Sequence, residues 1–350
     1  MISISTKEKE ALSNVKYIDL FAGIGGFRLA LDSFGAKCVF TSEWDMNCQE
    51  VYKQNFLQDE IYGDITQVHE KDIPKHDILC AGFPCQAFSI SGKRKGFDDS
   101  KGTLFFDIAR IAKLRQPNIL ILENVKNLMT INGGKTFQRM IKILKELNYD
   151  TFTELVSANL FGVPQKRERI FFICFHNDLK IKNFKLSAPN FPIPKVRDIL
   201  EEPSVDKDLL IRREDTIMNE ENLKRDLFEG YESKIHRIGT INKGGQGERI
   251  YSIDGLGITL SAYGGGPGRK TGAYKVGKKI RRLSPRETAR MMGFPDSFGF
   301  HKNIGIAHTQ FGNSVVVNIV QFILRDLLSL FSNLSSPYLK CRCKQPNVIL

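Results

Sequence analysis

Residues 16–27 of the chain read KYIDLFAGIGGF, an apolar run followed by glycines at positions 23, 25 and 26. A short apolar run that ends in glycines is typical of a buried strand. Glycines at this point let the backbone turn sharply into a helix and approach a ligand closely. The stretch therefore predicts the first strand, loop and helix of an α/β domain, with a binding site at the loop.

The same alternation of apolar runs and amphipathic segments continues to about residue 176. The runs that read as further buried strands are AKCVFTSE (36–43), HDILCAGF (76–83) and PNILILEN (117–124). The segments with helical spacing are 27–34, 45–56, 103–114 and 136–147. Strands that alternate with helices predict a parallel sheet covered by helices on both faces. FTELVSA (152–158) and RERIFFICF (167–175) follow each other without a helix, which predicts a hairpin at the edge of this sheet.

A second, basic region follows where the periodicity fades, after about residue 192. Residues 197–230 are acidic and irregular, and residues 234–282 contain eleven Lys and Arg side chains against two acidic ones, Glu248 and Asp254. The basic residues alternate with glycine-rich turns and tyrosines, which suits loops that lie along a phosphate backbone. Together with the formal net charge of +12, this region predicts nucleic acid as a partner.

Helical character returns near the end of the chain. Ser284 and Pro285 have the character of an N-cap and a first helical residue. Residues 314–330 (SVVVNIVQFILRDLLSL) read as a buried helix that rejoins the first domain. We therefore expect a first domain of residues 1–195 and 305–335, an inserted loop-rich basic domain of residues 196–284, a hinge over 285–304 and a flexible tail over 336–350.

The composition disfavours several other classes of protein. The chain is 41% hydrophobic and 26% charged, and no run approaches the roughly 18 apolar residues of a membrane helix. Its start, MISISTKEKEALS, lacks the apolar core of a signal peptide, so we expect a cytoplasmic protein without a membrane partner. Its seven cysteines form no paired CxxC array, so neither a disulfide framework nor a metal site is predicted. Cys341 and Cys343 read as exposed thiols of the tail.

The glycine loop favours a nucleoside ligand without phosphates. A dinucleotide fingerprint would need a third glycine at position 28, where this chain has Arg28. Glu43, at the end of the second strand run, could accept hydrogen bonds from two ribose hydroxyls, and Trp44 could lie against a purine. Asp64 could accept from an adenine amino group. S-adenosylmethionine fits this set better than NAD, although each acidic residue alone could equally be a cap.

The stretch CAGFPCQAFSISGKRKGF (80–97) places a cysteine after a proline, ahead of a basic, glycine-rich loop. A thiolate that adds to C6 of a cytosine makes C5 able to attack a methyl sulfonium, provided that an acid holds or protonates N3. Cys85 is the candidate thiol and Glu123 the candidate acid, with a pKa raised by enclosure. Arg167 and Arg169, on alternate positions, are candidate donors. No histidine lies in these motifs, which disfavours a cysteine hydrolase. An inert thiol, a strand-end ion pair and solvated arginines are the other interpretations.

Six blocks in this order, FAGIGGF, GFPCQAFS, ENV, PQKRERI, RRLSPRE and QFGNSVV, resemble those of the cytosine-C5 DNA methyltransferases. The resemblance covers about residues 15 to 330. It implies a Rossmann-like, S-adenosylmethionine-dependent methyltransferase sheet in the first domain and target recognition by the inserted one. It also implies double-stranded DNA as substrate, in a type II restriction–modification system with a separate cognate endonuclease. We expect a monomer.

The resemblance assigns a role to each matching position. Cys85 is the nucleophile and Glu123 the partner of cytosine N3, while Arg169 contacts the cytosine and Arg167 the flipped nucleotide. The positions that match the cofactor pocket are Phe21, Gly23, Gly25, Glu43, Trp44, Asp64, Ile65, Pro84, Leu104, Asn313 and Val315. The positions expected to contact DNA are Ser89, Ser91, Lys93, Gln246, Arg249, Thr259, Ser261 and Tyr263.

Within the inserted domain, KGGQGERIYS (243–252) and ITLSAYGGG (258–266) nearly match the recognition segment of a GCGC-specific member of that family. The match implies methylation of the inner cytosine of GCGC, with Gln246 filling the space left by the flipped base. The loop after Cys85 is expected to open for DNA and to close during chemistry. The chain departs from the family at residues 267–269, in the acidic segment 201–228 and in the tail.

Three alternatives remain open at this stage. A tRNA cytosine-C5 methyltransferase would use the same chemistry on another nucleic acid. A catalytically silent DNA-binding module would be marked by loss of Cys85 or Glu123, both of which are present. A nicotinamide-dependent enzyme is disfavoured by Arg28.

Overall fold

The computed structural model describes residues 4–56, 60–84, 104–187, 189–190, 192–201, 207–221 and 234–333. Its largest element is a seven-stranded sheet. In chain order the strands of this sheet are β1 (Lys16–Leu20), β2 (Lys37–Ser42), β3 (Ile61–Tyr62), β4 (Ile78–Gly82), β5 (Ile119–Val125), β6 (Tyr149–Ser157) and β7 (Glu168–His176). Their order across the sheet is β3-β2-β1-β4-β5-β7-β6, and the first five are parallel.

The α-helices of the described chain are α1 (Thr6–Lys9), α2 (Gly26–Asp32), α3 (Met46–Asn55), α4 (Leu104–Arg115), α5 (Lys135–Glu146), α6 (Pro285–Met291), α7 (Ile304–Asn313) and α8 (Val317–Asn333). The four segments with helical spacing, from 27–34 to 136–147, coincide with α2 to α5 to within one or two residues at each end. The apolar periodicity of this part of the sequence is therefore confirmed as a helix signal.

Hydrophobic cores lie on both faces of the sheet because successive strand residues point to opposite sides. One core joins Tyr17, Ile121 and Phe171 of the sheet to Phe34 beside α2 and Ile323 of α8. The other joins Ile18, Leu122 and Phe172 of the sheet to Ile108 of α4 and Leu144 of α5. The predicted sheet with helices on both faces is confirmed.

The last two strands of the large sheet form the predicted hairpin. Strands β6 and β7 pair antiparallel from Tyr149 opposite His176 to Ser157 opposite Glu168, and β6 lies at the edge. Strand β7 is also antiparallel to β5, with Val125 opposite Arg169. The direction of β7 brings its first residues to the carboxyl end of β5, where ligands bind in parallel sheets.

The basic region contains a second sheet, which the sequence did not predict. Its strands are β8 (Thr216–Met218), β9 (Arg237–Ile241), β10 (Arg249–Ser252), β11 (Ala273–Val276) and β12 (Lys279–Arg281), in the order β12-β11-β10-β9-β8. Its own core consists of Ile238, Ile241, Ile250 and Ala273, whereas Tyr251, Tyr274 and Leu283 belong to a core of the large sheet. The small sheet therefore has a core of its own and also packs against the core of the large sheet.

The helices α7 and α8 include the one stretch, among the residues described, that is long and apolar enough to cross a membrane. It runs from Ile304 to Ser332, and 61% of its most apolar window is buried inside the protein. Ser314 has an extended conformation (φ −73°, ψ 158°) and separates the two helices. Ile319 and Ile323 of α8 lie in a core of the large sheet, as predicted for residues 314–330.

A buried ion pair joins the small sheet to the helix of the predicted hinge. Ser284 caps α6 with Pro285 at its first turn, as predicted. The two oxygens of Glu287 accept hydrogen bonds from Nη1 and Nη2 of Arg281, each at 2.7 Å. The two side chains are only 0% and 3% exposed, so neither charge is solvated by bulk water.

Glu287→Gln should lower the free energy of unfolding by about 3–5 kcal/mol, because it leaves the Arg281 guanidinium buried without a counter-charge. The control is Asp296→Asn, which breaks the ion pair with Arg290 at a side chain that is 63% exposed. Its cost should stay below about 1 kcal/mol. Chemical denaturation measures both changes, and equal losses would contradict the assignment.

Candidate active site

The loop after β1 lies where the strand order of the large sheet reverses, since β2 and β4 flank β1. Ligands of α/β sheets bind at such a point, beyond the carboxyl ends of the strands. Phe21, Gly23 and Gly25 all have positive φ, at 56°, 56° and 89°. At Gly25 the φ of 89° and a Cβ that would lie 2.4 Å from the ring of Phe56 both favour glycine.

Glu43, which follows β2, holds this loop in place. Its Oε2 accepts a hydrogen bond from the amide of Gly23 at 2.7 Å, and its Oε1 accepts from the amide of Asp45 at 2.8 Å. Burial raises the pKa of Glu43. A carboxylate has about four acceptor positions. The predicted contact with ribose hydroxyls would use the acceptor positions that these backbone amides leave open.

The remaining positions predicted for the cofactor surround the same loop. Trp44 is 78% exposed, and Asp64 caps a short 3-10 helix by accepting from the amide of Thr66. The methyl group of Val315 lies 2.7 Å from where a Cβ of Gly26 would be, which places the α7–α8 junction against α2. Of the other predicted positions, Pro84 and Asn313 are exposed, Leu104 is half-buried and Ile65 is buried.

Arg28 does not face a phosphate site. Its Nε donates to Asp32 at 2.5 Å, and its Nη1 donates to the hydroxyl of Tyr52 at 3.4 Å. The guanidinium also lies 5.1 Å from the centre of the Phe56 ring. The residues of this loop therefore fit a nucleoside without a pyrophosphate, as predicted for S-adenosylmethionine.

An acidic and a basic side chain meet at the carboxyl ends of β4 and β5. Gly82 lies opposite Glu123 in the parallel pair. Nε of Arg169 is 3.0 Å from Oε1 of Glu123, and the two side chains are 14% and 10% exposed. Burial raises the pKa of Glu123, although Arg169 and Arg167 act in the opposite direction. The carboxyl group therefore keeps a proton more readily than a solvated glutamate, as predicted for the acid at N3.

A neighbouring amide holds the chain that leads to the candidate nucleophile. Asn124 is buried, and its Nδ2 donates to the carbonyl of Phe83 at 2.8 Å. Cys85 follows two residues later and lies outside the described residues, as do Ser89, Ser91 and Lys93. Sequence reasoning missed Asn124, although its place beside Glu123 in the ENV block is a usable signal.

Arg167 makes contacts that differ from the predicted one. Its guanidinium is 2% exposed, and it donates to the carbonyls of Leu260, Gly312 and Ser314. Burial lowers the pKa of Arg167 to about 9. The predicted contact of Arg167 with the flipped nucleotide stays a prediction: Nη1 and Nη2 donate to backbone carbonyls, whereas Nε has no hydrogen-bond partner among the described residues.

The residues expected to read DNA lie on two adjacent loops. Gln246 and Arg249 are exposed around the start of β10, and Tyr263 is 91% exposed on the other loop. A Cβ at Gly247 would lie 1.9 Å from the carbonyl oxygen of Gly265, so the loops pack backbone to backbone. Of the other two expected residues, Thr259 donates to the carbonyl of Lys166 at 2.5 Å and Ser261 accepts from the amide of Tyr263.

One buried acid beneath the cofactor loop was not singled out from the sequence. Asp19 of β1 is fully buried, and neither of its oxygens accepts a hydrogen bond within the described residues. Burial raises the pKa of Asp19 to about 8, against the opposing charge of Arg28. The raised pKa favours the protonated form of Asp19 in the folded protein.

Sequence comparisons identify relatives over almost the whole chain. The family described as C-5 cytosine-specific DNA methylase matches residues 15–329. Type II methyltransferase M.HhaI of Haemophilus parahaemolyticus is 52% identical over 324 residues, which cover 93% of this chain and 97% of that protein. Type II methyltransferase M.HpaII of Haemophilus parainfluenzae is 40% identical over 341 residues, which cover 91% of this chain and 90% of that protein.

Solved structures share the fold. The S. pombe Dnmt2 methyltransferase superposes with a TM-score of 0.66 at 19% identity, covering 92% of this chain and 99% of that one. A putative DNA modification methyltransferase encoded within an E. coli prophage superposes with a TM-score of 0.66 at 21% identity, covering 91% and 99%. At these identities the likeness establishes the fold alone.

Asp19 predicts a pH dependence of stability. Between its ordinary pKa of 3.8 and its folded value of about 8, only the folded state holds the proton. Stability should therefore fall as pH rises through this window, by at most about 1.4 kcal/mol per pH unit.

Asp19→Asn should remove this slope, whereas Asp72→Asn, at an exposed aspartate, should keep it. Denaturant unfolding at pH 5, 6, 7 and 8 measures the slope for each variant. A slope that Asp19→Asn leaves unchanged would show that another group is responsible.

Proposed function

Because the chain belongs to the C-5 cytosine-specific DNA methylase family, we propose that it transfers a methyl group to C5 of a cytosine flipped out of duplex DNA. It is a DNA cytosine-C5 methyltransferase that uses S-adenosylmethionine. The observation that carries the mechanism is the contact between Glu123 and Arg169, beside the strand end that leads to Cys85. Glu123 would act as the acid and Arg169 as the cation of this site, with Cys85 proposed from the sequence as the nucleophile.

In the proposed reaction the thiolate of Cys85 forms a bond to C6 of the cytosine. The electron pair of the C5–C6 double bond moves into the ring, and N3 takes the proton of Glu123. Arg169 stabilises the charge that develops on the carboxylate and the base. C5 then has the electron density of an enamine and could accept the methyl group that bound S-adenosylmethionine would supply, with the bond from that carbon to the sulfonium sulfur breaking and S-adenosylhomocysteine leaving.

The reverse proton and bond movements release the product. The proton on C5 passes to water, the bond between C6 and the sulfur of Cys85 breaks, and the double bond re-forms. Glu123 regains its proton from N3. The net change replaces hydrogen by methyl at C5 and leaves the three side chains as they began.

The cofactor fits the loop after β1. When bound, S-adenosylmethionine supplies an electrophilic methyl group. Glu43 would hold the ribose hydroxyls, Trp44 would lie against the adenine, and Asp64 would accept from its amino group. The buried Asp19 lies below this loop, and burial raises its pKa, which favours its neutral form.

The proposed DNA target is GCGC, with methylation of the inner cytosine. The resemblance of residues 243–252 and 258–266 to a GCGC-specific recognition segment supports it, and so do the exposed Gln246, Arg249 and Tyr263. Bidentate contacts between arginine and guanine discriminate by about 1–3 kcal/mol each. Extrusion of the base costs a few kcal/mol. Closure of the basic loop after Cys85 would offset this cost.

The organisation of the system is also proposed. We expect a monomer that acts on double-stranded DNA in the cytoplasm, with a cognate restriction endonuclease acting separately, as in type II systems. Residues 1–195 and 305–335 would form the catalytic domain and residues 196–284 the target-recognition domain. Residues 285–304 would serve as the hinge, and the tail over 336–350 lies outside the described residues.

Cys85→Ser should reduce methyl transfer by more than about 100-fold, because a hydroxyl does not ionise enough to attack C6. It should still bind the duplex.

With 5-fluorocytosine at the target position, the unaltered protein should form an adduct that survives denaturation, since C5 cannot lose fluorine as a cation. Denaturing gel electrophoresis of the labelled duplex detects the adduct. The matched control is Cys341→Ser, which should form the adduct as the unaltered protein does. An adduct formed by Cys85→Ser would refute the assignment.

Glu123→Gln should lower kcat by about 10²–10⁴-fold, because the amide cannot give a proton to N3. DNA affinity should change far less, since Arg169 and the recognition loops remain. Glu168→Gln is the control, because Glu168 is 42% exposed and pairs with Lys126. Single-turnover kinetics and anisotropy titrations separate the two effects. A Glu123→Gln protein with unchanged kcat would exclude Glu123 as the acid.

A further inference from the structure

Residues 164–167 (PQKR), just before β7, form hydrogen bonds with residues 257–260, the segment that contains Thr259. We use "seam" for residues 164–167 and 257–260 together. The amide of Lys166 donates to the carbonyl of Gly257 at 3.0 Å, and the amide of Gly257 donates to the carbonyl of Pro164 at 2.8 Å. The amide of Leu260 donates to Oε1 of Gln165 at 3.0 Å. The seam therefore fixes Thr259, which was predicted to contact DNA.

Arg167 extends the seam to a third element. Its Nη1 donates to the carbonyl of Leu260 at 3.3 Å, and its Nη2 donates to the carbonyls of Gly312 and Ser314 at 3.0 and 2.9 Å. Gly312 and Ser314 flank Asn313, an exposed position of the proposed cofactor pocket. One planar guanidinium thus ties the base-reading segment to the cofactor side of the protein.

The two segments that Arg167 joins also touch directly. A Cβ at Gly312 would lie 2.8 Å from the carbonyl carbon of Ser261 and 2.9 Å from the amide nitrogen of Ala262. Both are backbone atoms, which cannot move aside as a flexible side chain could. The end of α7 and the base-reading segment are therefore packed without space for a side chain between them.

Arg167 is also linked along the backbone to β7, the strand that carries Arg169. Arg167 immediately precedes β7, and Arg169, two residues later, contacts Glu123. The backbone of β7 thus connects the guanidinium of Arg167 to the proposed acid. The buried side chain of Arg167 thus connects three segments: residues 257–260, residues 312–314 and the start of β7.

We propose that Arg167 is a positioning residue that couples the binding of DNA to the binding of the cofactor, an inference that rests on the proposed function. The donors of a guanidinium have a fixed planar geometry. If the carbonyl of Leu260 moves, the carbonyls of Gly312 and Ser314 must move with it, because otherwise a buried hydrogen bond is lost. DNA bound near Leu260 and the cofactor bound near Asn313 would then both favour one arrangement of Arg167 and its three carbonyl partners. Each ligand should raise the affinity of the other by the same factor.

The coupling factor is measured as the ratio of the Kd for a fluorescent GCGC duplex without and with saturating S-adenosylhomocysteine. In the unaltered protein this ratio should exceed about fivefold. Arg167→Met, which keeps the bulk but removes every donor, should bring it below about twofold. Arg167→Lys should give an intermediate ratio, because an ammonium cannot hold three carbonyls in one plane.

Two further variants separate coupling from general stability. Gly312→Ala keeps Arg167 but pushes the base-reading segment away from α7, so the coupling factor should also fall. It serves as the test if Arg167→Met does not fold. Arg325→Met removes the ion pair between α8 and Glu8 and should keep the coupling factor of the unaltered protein.

An unaltered protein without coupling, or an Arg167→Met protein that folds and keeps the full coupling factor, would overturn the proposal. Loss of coupling in Arg325→Met as well would also overturn it, because the effect would then reflect stability alone. Methyl transfer to the duplex by the unaltered protein is measured in parallel. Absence of that transfer would refute the proposed function, whereas transfer without coupling would refute only the role of Arg167.

Discussion

The ion pair between Glu123 of β5 and Arg169 of β7 is the contact on which the candidate active site depends. It exists because β7 enters the sheet antiparallel to β5, so that the start of one strand lies at the end of the other. In a fully parallel sheet, the residues at the start of β7 would lie at the opposite edge. The insertion of one reversed strand therefore places a cation beside an acid at the edge where ligands bind. Burial of the Glu123 carboxyl raises its pKa against the opposing charge of Arg169, which is the direction that the proposed role as an acid needs.

Much of the large domain follows from local patterns in the sequence. The loop after β1, helices α2 to α5, the hairpin of β6 and β7 and the cap at Ser284 are set by short-range spacing, turn residues and capping groups. The parallel pairing of β4 and β5, which puts Glu123 near the strand that leads to Cys85, follows from the alternation of strands and helices. Local signals of this kind do not depend on distant packing.

The features that the sequence did not reveal depend on contacts between distant segments. The strands of the small sheet are only three to five residues long, so no alternating pattern develops. Arg167 resembles a nucleotide contact in its motif, yet its partners lie about 100 to 150 residues away in sequence. Asn124 and Asp19 acquire their roles only when neighbouring strands bury them.

The small sheet and the catalytic sheet share a core, which limits how independently they can move. Tyr251, Tyr274 and Leu283 pack with the large sheet, and the seam adds backbone hydrogen bonds on the same side. In the proposed function, recognition of the base sequence and placement of the reactive base would therefore depend on the same packing. We infer that these backbone hydrogen bonds set the position of the loops that carry Thr259 and Ser261.

Bisulfite sequencing of duplex DNA after incubation with the purified protein and S-adenosylmethionine is the most direct measurement of the central claim. The inner cytosine of each GCGC should resist conversion, and other cytosines should convert. A tRNA incubated in parallel with labelled cofactor should take up no methyl group. Full conversion of every cytosine in the duplex, with label transferred to tRNA instead, would contradict the account.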